Sequence, residues 1–147
     1  MGRTRQKMQN NINKLEEMEM NRDIRFRGWD RENNEMIYSD HEGGLQQFFD
    51  YTDNPTDFTT NDVEFMQFTG LNDKNGKEIY EGDILQAFYG KKNTLFTITK
   101  VYFNEKGYWD SKNISEKAPF KVCYLGFCKC ELIGNIYENP ELLKEDE

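Results

Sequence analysis

The sequence predicts a mainly β protein: a small twisted barrel of short antiparallel strands carrying an N-terminal helical appendage. Three observations carry that expectation. Short segments alternate apolar with polar side chains, the period of a strand with one buried face. Glycine turns separate them, at Gly70, Gly76, Gly82, Gly90, Gly107 and Gly134. Aromatic residues (11 Phe, 8 Tyr and 2 Trp) supply bulky core filling to a chain that is only 36% hydrophobic, since each buries on the order of 150–250 Å². A barrel follows because closure removes exposed sheet edges. At 147 residues, the length suits one domain of ordinary size or one small domain with an appendage.

The leader comes first. From Gln6 to Met20, Met8, Ile12, Leu15 and Met18 recur at helical spacing and make a narrow apolar stripe. An isolated helix of about 15 residues is marginal in water, so this one calls for a partner surface. Met8, Ile12, Leu15 and Met18 are therefore the candidate oligomer contact. At Asp23 the period changes: Ile24 and Phe26 alternate with Arg25, Arg27 and Trp29, giving a strand with one apolar and one basic face. A polar turn, Asp30 to Asn34, leads into a second short strand, Glu35 to Tyr38, so the two form a hairpin. His41 to Thr60 reads as an irregular loop pinned by Phe48, Phe49 and Tyr51.

Val63 to Phe68 alternates as a third strand. Asp73 to Lys77 contains Asn75-Gly76, a strong turn signal because both residue types tolerate positive φ. After the Gly82 turn, Ile84 to Tyr89 is a strand. Leu95 to Phe103 gives the longest β signal, and Asn104 to Gly107 turns the chain again. Tyr108 to Lys117 has no clear period. Phe120 to Tyr124 and Lys129 to Ile133 are further strands, Gly134 to Pro140 closes the fold, and an acidic tail follows. The organisation read from this is a leader over 1–20, a hairpin and irregular loop region over 21–60, the barrel over 61–143 and a tail over 144–147.

Charge is uneven. The net charge is −8, yet Met1 to Arg27 carry seven basic and four acidic residues, a net of +3 that leaves −11 on the remaining 120. An acidic body opposes the counterion release that drives nucleic-acid affinity. A basic leader reads first as a solvated segment; the alternatives are that it touches nucleic acid or docks on the acidic body of a neighbouring copy. The best local match to a nucleic-acid platform is Arg25-Phe26-Arg27-Gly28-Trp29, in which Arg25, Arg27 and Trp29 share a face. These three are the candidate binding surface. The competing account, favoured here, is that Trp29 covers the end of the barrel while the arginines pair with the acidic body.

Catalytic chemistry finds little support. The single histidine, His41, sits in a polar loop, no Gly-x-Ser-x-Gly elbow occurs, and Gly76-Lys77 lacks the rest of a phosphate-binding loop. Cys123, Cys128 and Cys130 are odd in number, wrongly spaced for zinc and read as reduced structural thiols. The Asp73 turn fails the EF-hand pattern, because its glycine is not at the sixth loop position. No cofactor, no metal and no catalytic residue is therefore expected. No apolar run approaches the roughly 20 residues that span a bilayer, and Met1 to Met20 lacks the apolar stretch of a signal peptide. The expectation is a soluble intracellular protein.

Several blocks together, Ile24-Arg25-Phe26-Arg27-Gly28-Trp29-Asp30, Met36-Ile37-Tyr38, Met66 through Ile84 and Ile133 through Leu143, resemble the YopX family of phage and prophage proteins. The resemblance spans Met20 to Leu143 and implies an SH3-like barrel in the cytoplasm of a bacterial host, with no assigned activity and no site residues to carry over. The blocks themselves read as turns and core: Gly70, Gly76, Gly82 and Gly134 where the backbone needs freedom, and Leu71, Tyr80 and Tyr137 filling the interior. Function is then expected on the variable loops. The reading is a non-enzymatic accessory protein that binds an unidentified host or phage protein and self-associates as a homo-oligomer. The alternative is a nucleic-acid-binding barrel that uses Arg25, Arg27 and Trp29.

Overall fold

The helical spacing of the leader is realised as α1 (Gly2–Glu17) in the computed structural model, which describes residues 2–17, 23–40, 48, 63–90, 92, 94–115, 118 and 120–144. Arg3 to Asn10 are all exposed. Met18, and His41 with the loop around it apart from Phe48, lie outside the described residues.

Eight strands follow among the described residues: β1 (Phe26–Asp30), β2 (Glu35–Tyr38), β3 (Val63–Asn72), β4 (Glu78–Tyr80), β5 (Asp83–Tyr89), β6 (Thr94–Phe103), β7 (Trp109–Asn113) and β8 (Glu131–Asn135). They form two antiparallel four-stranded sheets, ordered β2-β1-β3-β4 and β7-β6-β5-β8, one of them curled into a half-barrel. The mainly β architecture with an N-terminal helix is the expected one. The strands nevertheless divide between two sheets instead of closing one ring of hydrogen bonds. The chain crosses between them at Glu81-Gly82, where Gly82 takes a φ of +80° that favours glycine. There the Gly82 N–H donates to the Val101 carbonyl, and the Gly82 carbonyl accepts from the Ile136 N–H.

The main core lies on one face of the second sheet. Ile79, Leu85, Ala87, Val101, Trp109, Val122, Phe127 and Cys130 are buried together, with Leu71, Tyr124 and Leu132 packed at its edge. Burial of one such large apolar side chain is worth about 1.5–3 kcal/mol. Of the three residues expected inside, Tyr80 is buried and Leu71 packs against the core. Tyr137 instead sits half-buried, stacked on Trp29 at 5.8 Å and 14°.

Near the C-terminus the local expectations need correction. Phe120 to Tyr124 is not a strand. Its carbonyls are taken by β7 side chains: Ser111 Oγ donates to Val122 and Asn113 Nδ2 to Phe120, each at 2.6 Å. The chain then turns into a 3-10 helix, Tyr124–Lys129, which carries Phe127 into the core. The strand expected from Lys129 starts at Glu131, because Cys130 caps that helix with its N–H on the Phe127 carbonyl. The aperiodic Tyr108 to Lys117 contains β7, paired with β6 from Phe103 opposite Trp109 to Thr99 opposite Asn113. Its alternation is hidden because Asp110 and Ser111 are polar yet buried.

Two buried aspartates lock the turns. The Asp73 carboxylate accepts the N–H groups of Asn75, Lys77 and Leu132, so the Asn75-Gly76 turn is fastened to β8. Burial would raise its pKa, but those three donors hold it below the ordinary carboxylate value. Asp30, 1% exposed, accepts from the N–H groups of Glu32 and Asn33 and fixes the hairpin turn. Gly134 is required for space: a Cβ there would stand 2.4 Å from Asn139 Oδ1, which accepts the Asn135 N–H.

Candidate functional site

Arg25, just before β1, and Arg27 and Trp29 within it share one strand parity, and the fold treats each differently. Arg27 is 4% exposed and donates from Nη2 to Asp83 Oδ1 at 2.6 Å, with its guanidinium over the Tyr80 ring at 4.8 Å. Its charge is neutralised inside the protein. Arg25 lies at the surface, ion-paired to Asp23 at 2.8 Å and to Glu78, and covers the Phe68 ring at 4.2 Å. Burial opposes its charge, but the bonds to Glu78 and Asp23 outweigh this and hold its pKa above the ordinary arginine value. Trp29 is half-buried against Tyr137. The three therefore do not form one open cationic face.

Asp83 is the most perturbed carboxylate. Burial pushes its pKa up to about 6, against the pull of the Arg27 charge and of the Tyr80 N–H, which donates to Oδ2 at 2.7 Å. Tyr80 is likewise raised, by burial first and then by the nearby charge of Glu78, which accepts its hydroxyl proton at 3.1 Å. Both groups sit where the sheets meet, and both are satisfied by protein partners. Among the described residues, no group of three or more His, Cys, Asp or Glu side chains is arranged to hold a metal ion. Cys123 and Cys128 are exposed, whereas Cys130 is buried and its thiol pKa is pushed up to about 11 by desolvation and by the Cys128 and Asp73 charges.

Among the described residues, one surface feature with the shape of a binding site is a cleft of about 660 Å³. It opens where β3 runs on past the end of β1. One wall is Phe68, Thr69, Gly70 and Asn72 with Asp23 and Arg25; the other is Phe103, Tyr108 and Trp109 from the turn between β6 and β7, with Tyr124. The walls are tied by the Tyr124 hydroxyl, which donates to the Thr69 carbonyl at 3.1 Å. Phe103 and Trp109 meet edge to face at 4.9 Å, so Trp109 anchors the aromatic wall to the core. Phe103 and Tyr108 remain 48% and 50% exposed. An opening of this size suits a segment of a partner or a small ligand, held by aromatic contact and a few polar groups.

Sequence reading placed no site here except through Arg25. Phe103, Tyr108 and Asp23 come from three separate segments, and their convergence is a tertiary event. The one local signal was the pair Tyr108-Trp109 directly after the Gly107 turn, two large aromatics where solvent-facing polar residues are usual.

A family model described as YopX protein matches residues 25–144. The chain belongs to the YopX family. Two solved structures resemble this YopX-family member. Protein EF1440 from Enterococcus faecalis is 24% identical with a TM-score of 0.51, over 82% of this chain and 98% of that one. YopX from Bacillus subtilis is 25% identical with a TM-score of 0.50, over 84% and 98%. No curated protein matches. Among the described residues, no helix of this YopX-family protein is long and apolar enough to cross a membrane.

Proposed function

We propose that this YopX-family protein is a non-enzymatic accessory module, acting for a phage or prophage in the cytoplasm of its bacterial host, that binds a protein partner through the cleft between β3 and the β6–β7 turn. One observation carries the reading: Phe103 and Tyr108 stand half-exposed beside the Arg25 and Asp23 ion pair in a cleft of about 660 Å³. Aromatic side chains left in water beside polar groups are the usual make-up of a protein-recognition surface. The strongly perturbed groups, Asp83 and Tyr80, lie outside the cleft lining and are committed to structure, which supports a binding role over a catalytic one. Nucleic-acid binding by Arg25, Arg27 and Trp29 is weaker, since Asp83, Asp23 and Glu78 already oppose the two arginines.

The test is affinity capture from host cells with the full chain beside a Phe103→Ser/Tyr108→Ser variant. Specific partners captured by the first and lost by the second are expected. Identical capture by both sinks the cleft, and tight binding of DNA or RNA that weakens steeply with salt would favour the nucleic-acid reading.

A further inference from the structure

β3 has 10 residues and its neighbour β1 has 5, so one edge of β3 runs past the strand beside it. β1 pairs with it from Val63 to Gln67, and the Phe68 N–H still reaches the Arg25 carbonyl. Beyond that point, residues 69–72 meet no strand on the β1 side among the described residues. We propose that this edge is the hydrogen-bonding wall of the cleft, and that an extended segment of the protein partner adds to β3 there as one more strand. The inference rests on the cleft being a protein-binding site and names the conformation and chemistry of what enters it.

The main chain itself selects that occupant. Gly70 is exposed, and because glycine has no side chain, what it exposes is backbone. A Cβ built there would meet, among the described residues, only Tyr124 Oη at 3.7 Å within 4 Å. Its φ of +84° accounts for a glycine in the irregular β3–β4 register between Phe68 and Asn72, but not for that open space, which lets a second backbone approach closely. Asn72 is exposed as well. The Asp73 N–H points across to the Lys77 carbonyl, so alternation turns the main chain of Asn72 the other way, off β4. Among the described residues, neither Gly70 nor Asn72 has its main chain bonded in a turn or to a side chain, and both line the cleft. The Thr69 carbonyl and the Leu71 N–H, by contrast, are taken by the Tyr124 hydroxyl and by Thr69 Oγ1. A helix satisfies its own main chain and brings nothing to such an edge, whereas an extended segment brings N–H and C=O groups at the matching repeat. Side chains of an added strand alternate between its two faces. Those on one face meet Phe103 and Tyr108, half-exposed rings that suit an aliphatic or aromatic residue at every second position.

The experiment selects binders from a random linear-peptide library on the full chain, then measures the affinity of each selected peptide with single N-methyl groups placed along its backbone. The selected peptides are expected to carry apolar residues at alternate positions. N-methylation of every second amide is expected to weaken binding about tenfold, one hydrogen bond at a time, while the amides between tolerate it. The same peptides are expected to lose the cleft variant Phe103→Ser/Tyr108→Ser, whose folding circular dichroism checks. The N-methyl series changes only the peptide, so it decides the question even where that variant fails to fold. Peptides that bind as helices, or that tolerate N-methylation at both parities, overturn the proposal, and so does a library that yields no binder. If such peptides are still lost by the folded cleft variant, this inference falls and the protein-binding function stands. If they bind the folded cleft variant as tightly as the native chain, the functional reading falls too. A native chain that is dimeric by light scattering and is split by the selected peptide puts a second copy at this edge and overturns the choice of a separate partner.

Discussion

Arg27 on β1 and Asp83 on β5 form a buried ion pair at 2.6 Å, with side chains 5% and 1% exposed, that joins the two sheets from the inside. Nη2 of the same arginine also donates to the Glu81 carbonyl at 3.2 Å, while its Nε has no partner among the described residues. Removing one member of such a pair leaves a charge in a site with little water. Arg27→Met is expected to lower stability by about 3–5 kcal/mol, whereas Arg25→Met, whose ion pairs with Asp23 and Glu78 are partly open to solvent, is expected to cost about 1 kcal/mol or less. Urea unfolding followed by tryptophan fluorescence measures both. Equal losses at the two positions would show that burial of the pair is not what matters.

The same pair sets a pH dependence. Asp83 has a folded-state pKa of about 6, above its ordinary value of 3.8, so the native state holds its proton more tightly than the unfolded chain. Its contribution to stability is full below the ordinary value and is lost as pH rises through about 6, on the order of 3 kcal/mol in all. Asp73 and Asp110 are depressed and act in the opposite sense, stabilising above their ordinary value and losing that contribution as acid protonates them. Unfolding free energy measured from pH 4.5 to 7.5 is therefore expected to decline toward pH 7, and Asp83→Asn is expected to flatten the decline. A slope that survives Asp83→Asn assigns it to another group.

Thiol reactivity follows burial. Cys123 and Cys128 are exposed, while Cys130 is 2% exposed with a pKa near 11. A thiol-specific disulfide reagent at pH 8 is expected to titrate two thiols in the native protein and the third only on unfolding. Rapid reaction of all three would contradict the position of Cys130 behind the 3-10 helix.

Thr99 is wholly buried, and its hydroxyl has no hydrogen-bond partner among the described residues. Thr99→Val replaces the unpaired hydroxyl with a methyl of similar shape and is expected to raise stability by about 1 kcal/mol. Thermal unfolding reads this out. A lower melting temperature would mean that the hydroxyl is hydrogen-bonded in the folded protein.

Elements with a strong period were legible in advance. β1 to β3, β5 and β6 fall where alternation put them, and the turns at Gly76 and Gly82 fall where glycine put them, with φ of +82° and +80°. The errors share one cause. β7 escaped notice because Asp110 and Ser111 are buried polar residues that spend their polar groups on protein partners, the exposed Lys121 ammonium and the Val122 carbonyl, whereas a periodicity argument counts them as solvent-facing. Phe120 to Tyr124 looked like a strand because local propensity cannot register that β7 side chains have already taken its carbonyls. In the site, Arg25, Arg27 and Trp29 had strand parity in common, yet parity does not report depth: Asp83, far along the chain, draws Arg27 inside.

Composition and period were enough to specify antiparallel strands, glycine turns, a helical leader and the family blocks, because each depends on neighbours within a few residues. The division into two sheets, the burial of Arg27 against Asp83 and the meeting of Asp23, Phe68, Phe103 and Tyr108 around one cleft depend on segments tens of residues apart. Those contacts form only when long loops close, and their energies belong to the assembled fold rather than to any stretch of the chain.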